Sequence, residues 1–313
     1  MNNFKISVII CCYTLERFED VLEAINSVKN QTKKPHEIIV SVDNNRILYE
    51  KLQNELVHPA KAVFNDNHSG ASETKSIGIG ASTGDIIAFL DDDAIAASDW
   101  LEQLSSYYEN PQVIATGGKA VPIWPEKNRP RWFPEELDWI VGGTHKGPSN
   151  ESREVRNMIG CNMSFRREVF VQIGVFNNQV GRVGKVQGAG EEAEICLRIK
   201  HSLPDRLILF NPMAIIHHKV HPLRVKWNYL LRRSYDEGHS KYLIKKIFIK
   251  SGTPTLSTEN SYACYLLLRA VPARLFSFYK NNSLLQILAM MLSMFAVSVG
   301  YFRGRLEDIR ISQ

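Results

Sequence analysis

At 313 residues, with 44% hydrophobic and 23% charged side chains and no low-complexity tract, the chain has a globular composition and can bury a sizeable core. Its net charge of +5 hides a division: residues 1–197 hold 20 Lys and Arg against 27 Asp and Glu, residues 198–313 hold 18 against 6. An acidic half suits a metal ion and a basic, apolar half suits anionic lipid, which together disfavour a nucleic-acid binder.

Residues 6–12 (ISVIICC) form a continuous apolar, β-branched run, the signature of a strand buried on both faces and too short for a secretory signal peptide. Its Cys11 and Cys12, with Cys161, Cys196 and Cys264, make an odd count without a CxxC pair, which points to a reducing compartment rather than a disulfide framework. Phe18, Val21, Leu22, Ile25 and Val28 recur at helical spacing. Strands are expected at 37–43 and 61–65, a helix rich in small residues at 72–83, and a fourth strand at 85–93. Strands alternating with helices argue for an α/β fold with a mainly parallel sheet, in which ligands bind beyond the carboxyl ends of the strands. Asp43 and Asp91–Asp93 end two of those strands and would face one crevice.

Beyond residue 112 the alternation weakens. A strand is expected over 113–124, then a long structured loop rich in Pro, Trp and Gly, then a strand running into a helix over 158–176. A helix begins near 190, and 207–220 reads as a strand pair or one broken strand. The stretch 231–250 is basic and amphipathic, and 261–276 is apolar but interrupted by Arg269, Pro272 and Arg274, as an interfacial helix would be. Residues 284–302 are 19 in number, with Gln286 the one strongly polar side chain. That length lies at the short end of what spans a bilayer, so the segment can span, lie in the interface or pack as a buried helix. The division expected is a catalytic domain over 1–225 and a helical, membrane-associating region over 226–313, attached to the cytoplasmic face of the cell membrane.

Three adjacent carboxylates repel one another, so a cation is the reason to keep Asp91, Asp92 and Asp93 together. Oxygen ligation suits Mg²⁺ or Mn²⁺ with nucleotide phosphates completing the shell. On an extended backbone Asp91 and Asp93 share a face while Asp92 points away. The bland alternative, a solvated acidic loop with Asp93 capping a helix, carries equal weight on residue type alone.

The segments ISVIICCYTLER, EIIVSVD and SETKSIGIGASTGDIIAFLDDD, followed by GCNMSFRREVF and GEEAEICLR, stand in an order and spacing that resembles the family 2 glycosyltransferases over roughly residues 5–240. The resemblance implies a GT-A nucleotide-sugar-binding fold and roles for single residues. Tyr13 would sit near the nucleotide base and Asp43 would accept from the uracil ring. Lys75, standing where the family usually has Arg, would contact base or phosphates. Asp91 and Asp92 would face the donor, and Asp93 with Asp91 would hold the metal. Glu192 aligns with the family's acid that deprotonates the acceptor hydroxyl, with Glu191 as the open alternative, and an inverting transfer follows. Of the adjacent His217 and His218 at most one can face the metal, and the resemblance favours His218. Arg232 and Arg233, in LLRRSYDEG, resemble a late family motif suited to phosphate capture, against the plain reading of a solvated helix face.

The loop PIWPEKNRPRWFPEELDWIVGG, with GYFRGR near the C-terminus, resembles archaeal enzymes acting on dolichyl-phosphate-linked sugars, glucuronosyltransferases on glucosyl-dolichyl phosphate among them. Trp124, Trp132 and Trp139 would then stack on sugar faces or sit at the membrane interface, against the plain reading that they pack the loop on the core, and Arg129, Arg131 or Lys146 would pair with a uronate or acceptor phosphate. The implied function is transfer from a UDP-sugar, such as UDP-glucuronate, to a lipid-linked glycan acceptor. The alternatives are an initiating polyprenyl-phosphate glycosyltransferase and a non-catalytic, membrane-tethered nucleotide-sugar-binding module.

Overall fold

The structure, a computed structural model, describes residues 4–67, 70–146, 152–178, 190–249, 255–277 and 282–311. Two compact units emerge, one comprising Met1–Val121, Glu151–Val186 and Glu191–His218, the other Pro122–Asn150, Gln187–Gly190 and Lys219–Gln313. The boundary expected at residue 225 therefore falls after His218, and the Pro- and Trp-rich loop groups with the C-terminal helices.

In the first unit the strands are β1 (Ile6–Cys12), β2 (Glu37–Asp43), β3 (Ala60–Asn65), β4 (Ile86–Asp91), β5 (Ala94–Ala96), β6 (Val113–Ile123), β7 (Arg153–Glu154), β8 (Asn162–Arg166) and β9 (Leu207–Lys219). They follow the order β3-β2-β1-β4-β8-β6-β9-β5, with β7 beside β9. The four strands β3-β2-β1-β4 pair in parallel, and β8 reverses direction against β4. This is an α/β fold built on a parallel half-sheet, as the alternation of strands and helices predicts.

The parallel strands are apolar on both faces because both faces are covered. Val8 and Ile10 pack with Val21, Ile25 and Val28 of α1 (Phe18–Lys29), whereas Ile9 joins Ile79 of α3 (Ala71–Ala81) on the opposite side. Between them α2 (Arg46–Glu55) was not expected from the pattern, because it buries only Leu48 and Leu52. Its start is fixed by Asn45, whose side chain accepts from the Leu48 amide at 3.0 Å, a standard N-cap. The short α4 (Trp100–Ser105), β5 and β7 were likewise not legible. The segment read as a strand pair or broken strand is the single β9; Pro212 falls between the stretches that pair with β7 and β5. The unit is completed by α5 (Arg167–Ile173) and α6 (Glu191–Ser202), both over the α3 face.

The second unit contains α7 (Trp227–Phe248), α8 (Ser257–Tyr265), a π-turn over Leu266–Ala270, α9 (Val271–Leu275) and α10 (Ser283–Ile311). The expected long loop holds two 3₁₀ turns, Pro125–Lys127 and Glu135–Val141, and supplies this unit's core through Phe133, Leu137, Ile140 and Val141. The tryptophans serve that packing. Trp132 stacks on Trp227 with centroids 4.2 Å apart, and the Trp139 indole donates to Tyr262 at 3.3 Å. Arg129 donates to Asp138 through two hydrogen bonds of 2.5 and 2.8 Å. Arg274, expected to snorkel toward head groups, instead holds the buried Glu136 at 2.6 and 3.0 Å and donates to Gln286 at 2.8 Å. Arg131 and Lys146 are exposed, the latter beside Glu135 at 3.3 Å. Lys250, the last residue of the basic stretch, lies outside the described residues.

Candidate active site

The parallel register sets the geometry of the site. Cys11 pairs with Asp91 and Cys12 with Val42, so β1, β2 and β4 end on one rim that carries Tyr13, Asp43 and Asp91. Tyr13 is 57% exposed there, and Asp43 accepts from the Asn65 amide at 3.1 Å. Two antiparallel pairings bring the remaining groups. Leu90 pairs with Asn162, which sets Cys161 beside Asp91, and Ala94 pairs with His218, which sets the imidazole beside Asp93.

His218 Nε2 lies 3.1 Å from Asp93 Oδ1 and 3.7 Å from Asp91 Oδ2. Strand alternation decides between the two histidines: His218 is buried and His217 exposed. Burial alone would lower His218, but Asp93 and Asp91 outweigh it and lift it to about 9; a cation held by the imidazole would take the place of that proton. Asp92 turns away from the rim and is 4% exposed; Arg17 Nη1 donates to it at 2.9 Å and lies 3.1 Å from Asp93 Oδ2. Burial pushes the Asp92 carboxyl up to about 7 against the pull of Arg17. Asp92 is thus a buried partner of Arg17 rather than a group facing the donor.

Lys75 is buried, and its Nζ donates to Glu191 Oε1 at 2.8 Å. Burial would lower the ammonium, yet Glu191, Asp91 and Glu192 together hold it above its ordinary range. The two candidate bases separate on this contact. Glu191 is buried in an ion pair, whereas Glu192, next along the first turn of α6, is half-buried. A Cβ added at Gly160 would lie 3.7 Å from the Glu192 carboxyl carbon and 4.0 Å from Lys75 Nζ, so the chain passes close beside both.

Donor atoms of Asp91, Cys161 and His218 lie within 4.8 Å of one another, the spacing of ligands around one cation. Asp91 brings a carboxylate that is 44% exposed. A divalent ion therefore fits here, with a donor set that adds imidazole to the oxygens expected from the acids alone. Cys161 is a neutral thiol, because burial pushes it well above its ordinary value.

Arg17 and Cys161 were missed in the sequence. Asking what neutralises three adjacent acids would have pointed to a nearby basic residue, but nothing local marks Cys161, which the β4–β8 register brings in. Arg232, Arg233, Trp132 and Trp139 belong to the second unit. There Arg233 is buried, 2.9 Å from Glu237 and over the Trp139 ring, while Arg232 is exposed.

Residues 7–174 match the family described as Glycosyl transferase family 2. The chain is 35% identical over 308 residues to a glucosyl-dolichyl phosphate glucuronosyltransferase of Haloferax volcanii, covering 96% of each protein. It is 26% identical over 251 residues to the succinoglycan biosynthesis protein ExoM of Rhizobium meliloti, covering 77% of this chain and 76% of that one. Among solved structures, the mannosyltransferase PcManGT of Pyrobaculum calidifontis, in complex with GDP-Man and Mn²⁺, superposes with a TM-score of 0.59 at 16% identity, over 96% of this chain and 87% of that one. GalNAc-T7 with UDP, GalNAc and Mn²⁺ gives 0.56 at 17% identity, over 90% of this chain and 59% of that longer one.

Proposed function

The chain belongs to glycosyltransferase family 2, and from that premise we propose that it is a metal-dependent, inverting enzyme carrying a sugar from a UDP-sugar to a lipid-linked glycan at a membrane. The observation that carries this reading is one strand rim bearing Asp91, Asp93 and His218, with the half-buried Glu192 next to the Lys75–Glu191 pair.

Asp91, Asp93 and His218 are the residues that would hold a divalent ion, which when bound supplies charge neutralisation for a departing diphosphate. Mn²⁺ and Mg²⁺ both suit carboxylates. In this reading Asp43 and Tyr13, at the neighbouring strand ends, contact the uracil base. Lys75 adds a fixed positive charge. Glu192 takes the proton from the acceptor hydroxyl as its oxygen bonds to the anomeric carbon, the carbon–phosphate-oxygen bond breaks and UDP leaves. Attack opposite the leaving group inverts the anomeric centre, and no second carboxylate is needed as a nucleophile.

The full-length relationship to an enzyme named for glucuronate transfer to glucosyl-dolichyl phosphate supports UDP-glucuronate as donor and a glycosylated polyprenyl phosphate as acceptor. The basic half and the apolar α10 support attachment to the cytoplasmic face of the membrane. A panel of UDP- and GDP-sugars, assayed with Mn²⁺ or chelator against polyprenyl phosphate and its glycosylated form, tests the reading. Chelator-sensitive turnover of a UDP-sugar that needs the glycosylated lipid is expected. Turnover with bare polyprenyl phosphate would make the enzyme an initiating one, and absence of both turnover and nucleotide binding would overturn the proposal.

A further inference from the structure

The segment Ser283–Ile309 is long and apolar enough to cross a bilayer, and 28% of its most apolar window is buried in the protein. Its exposed large side chains are not scattered around the helix. Met291, Phe295, Val299, Phe302, Leu306 and Ile309 recur every three or four residues, one stripe about 27 Å long on one side of α10.

The opposite side is occupied by α7. Ser234 and Ser293 hydroxyls meet at 2.8 Å, and Tyr242 donates to Asp308 at 2.8 Å. The two backbones touch between these points. A Cβ at Gly238 would fall 1.9 Å from the Val297 carbonyl oxygen, and one at Gly300 would fall 2.0 Å from that of Tyr235. Small residues at such a seam allow two helices to approach this closely and bind them as one body. Yet α7 is not a helix that hydrocarbon accepts. Opposite the apolar part of α10 it carries Arg232, Arg233, Asp236, Glu237, His239 and Lys241. Arg232 has 64% of its side chain exposed, and Lys241 pairs with both Glu237 and Glu259.

A transmembrane α10 would draw these charges into the bilayer, where each is costly. We infer that α10 does not cross the membrane but lies in the plane of its surface, with the stripe from Met291 to Ile309 sunk among the acyl chains and α7 on the water side. Arg303 and Arg305, exposed beside the stripe, reach the anionic head groups, and the +12 balance of residues 198–313 favours the same surface. The inference rests on the membrane attachment in the proposed function. Its readout is depth rather than turnover, so either can fail alone.

Spin labels at Met291→Cys, Phe295→Cys, Phe302→Cys and Ile309→Cys, one at a time in the full chain, test it on phosphatidylcholine–phosphatidylglycerol vesicles. The exposed Cys264 and the half-buried Cys11 must first become serine, whereas Cys12, Cys161 and Cys196 are held as unreactive thiols by burial. Four labels at one shallow depth are expected. Depth that rises and then falls along the helix would show a span and overturn the inference. Labels broadened by mutual coupling and sheltered from lipid would mark the stripe as a contact with a second copy, and labels open to aqueous relaxant would show no burial; both overturn it. Phe295→Glu, at a position 68% exposed, should keep the fold by circular dichroism and weaken vesicle partitioning at least tenfold; unchanged partitioning would also count against the inference.

Discussion

Lys75 and Glu191, 116 residues apart in sequence, meet at 2.8 Å in a buried ion pair that ties α3 to the first turn of α6. The pair gives the two adjacent glutamates different work. Glu191 is held by the lysine, and Glu192 is left at the edge of the site.

Removing either charge should separate these roles. Glu191→Gln leaves the Lys75 ammonium buried without its main partner and should cost about 3–5 kcal/mol of stability, seen as a lowered denaturation midpoint. Glu192→Gln should leave that midpoint within about 0.5 kcal/mol while lowering kcat by roughly 10²–10⁴. Stability loss confined to Glu192→Gln, with full activity retained, would reverse the assignment.

Metal binding should register as stability. With Mn²⁺ at about 100 times its Kd, mass action adds about 2.7 kcal/mol, a gain that chelator removes. Asp93→Asn and His218→Ala should abolish the gain in a thermal-shift experiment. Arg17→Met should lower stability without metal, because Asp92 and Asp93 lose the guanidinium between them. An Asp93→Asn protein that still gains stability from Mn²⁺ would refute the assigned ligand.

The legible part of the site was the part written in contiguous stretches. Three strands ending in Cys12, Asp43 and Asp91 announce themselves as apolar runs, and once they are parallel their ends must share a rim. Alternation along β9 allows only one of His217 and His218 to face inward, and it was the family resemblance that favoured His218. What stayed hidden depends on register between distant segments: Cys161 comes in with β8, and Arg17 meets Asp92 by a fold-back of the chain after β1. The tryptophan-rich loop was open to two readings. Aromatic residues suit a sugar face and a protein core equally well, and here Trp132 and Trp139 pack the second unit.

Acid should loosen the first unit through Glu37. This carboxylate accepts from Ser7 at 2.8 Å and from the Thr83 amide at 2.6 Å, and pairs with Lys61 at 2.9 Å, joining β1, β2, β3 and the end of α3. Burial would raise its pKa, but those donors hold it at about 2, below the usual 4.5. A depressed folded value means the contribution is complete above pH 4.5 and fades as pH falls toward 2. Unfolding by urea between pH 2 and 6 should show a slope that Glu37→Gln flattens; equal slopes in both proteins would remove Glu37 as its source.

Two glycines should respond to alanine with opposite signs. At Gly300 the new methyl meets the Tyr235 carbonyl, so Gly300→Ala should destabilise the second unit by about 1–3 kcal/mol. Gly80 lies inside α3 with nothing within 4 Å of an added Cβ, so Gly80→Ala should stabilise by up to about 1 kcal/mol. A Gly300→Ala protein as stable as the wild type in a denaturant titration would show that the α7–α10 seam is looser than described, and a destabilised Gly80→Ala protein would contradict the open space at α3.

The most direct measurement is transfer of labelled glucuronate from UDP-glucuronate to a glucosylated polyprenyl phosphate in anionic vesicles, by wild-type and Glu192→Gln protein, with Mn²⁺ and with chelator. Wild-type transfer that chelator stops and that Glu192→Gln lowers at least a hundredfold, with inversion at the anomeric carbon of the product, is the expected result. Transfer that persists in chelator, or at full rate in Glu192→Gln, would contradict it.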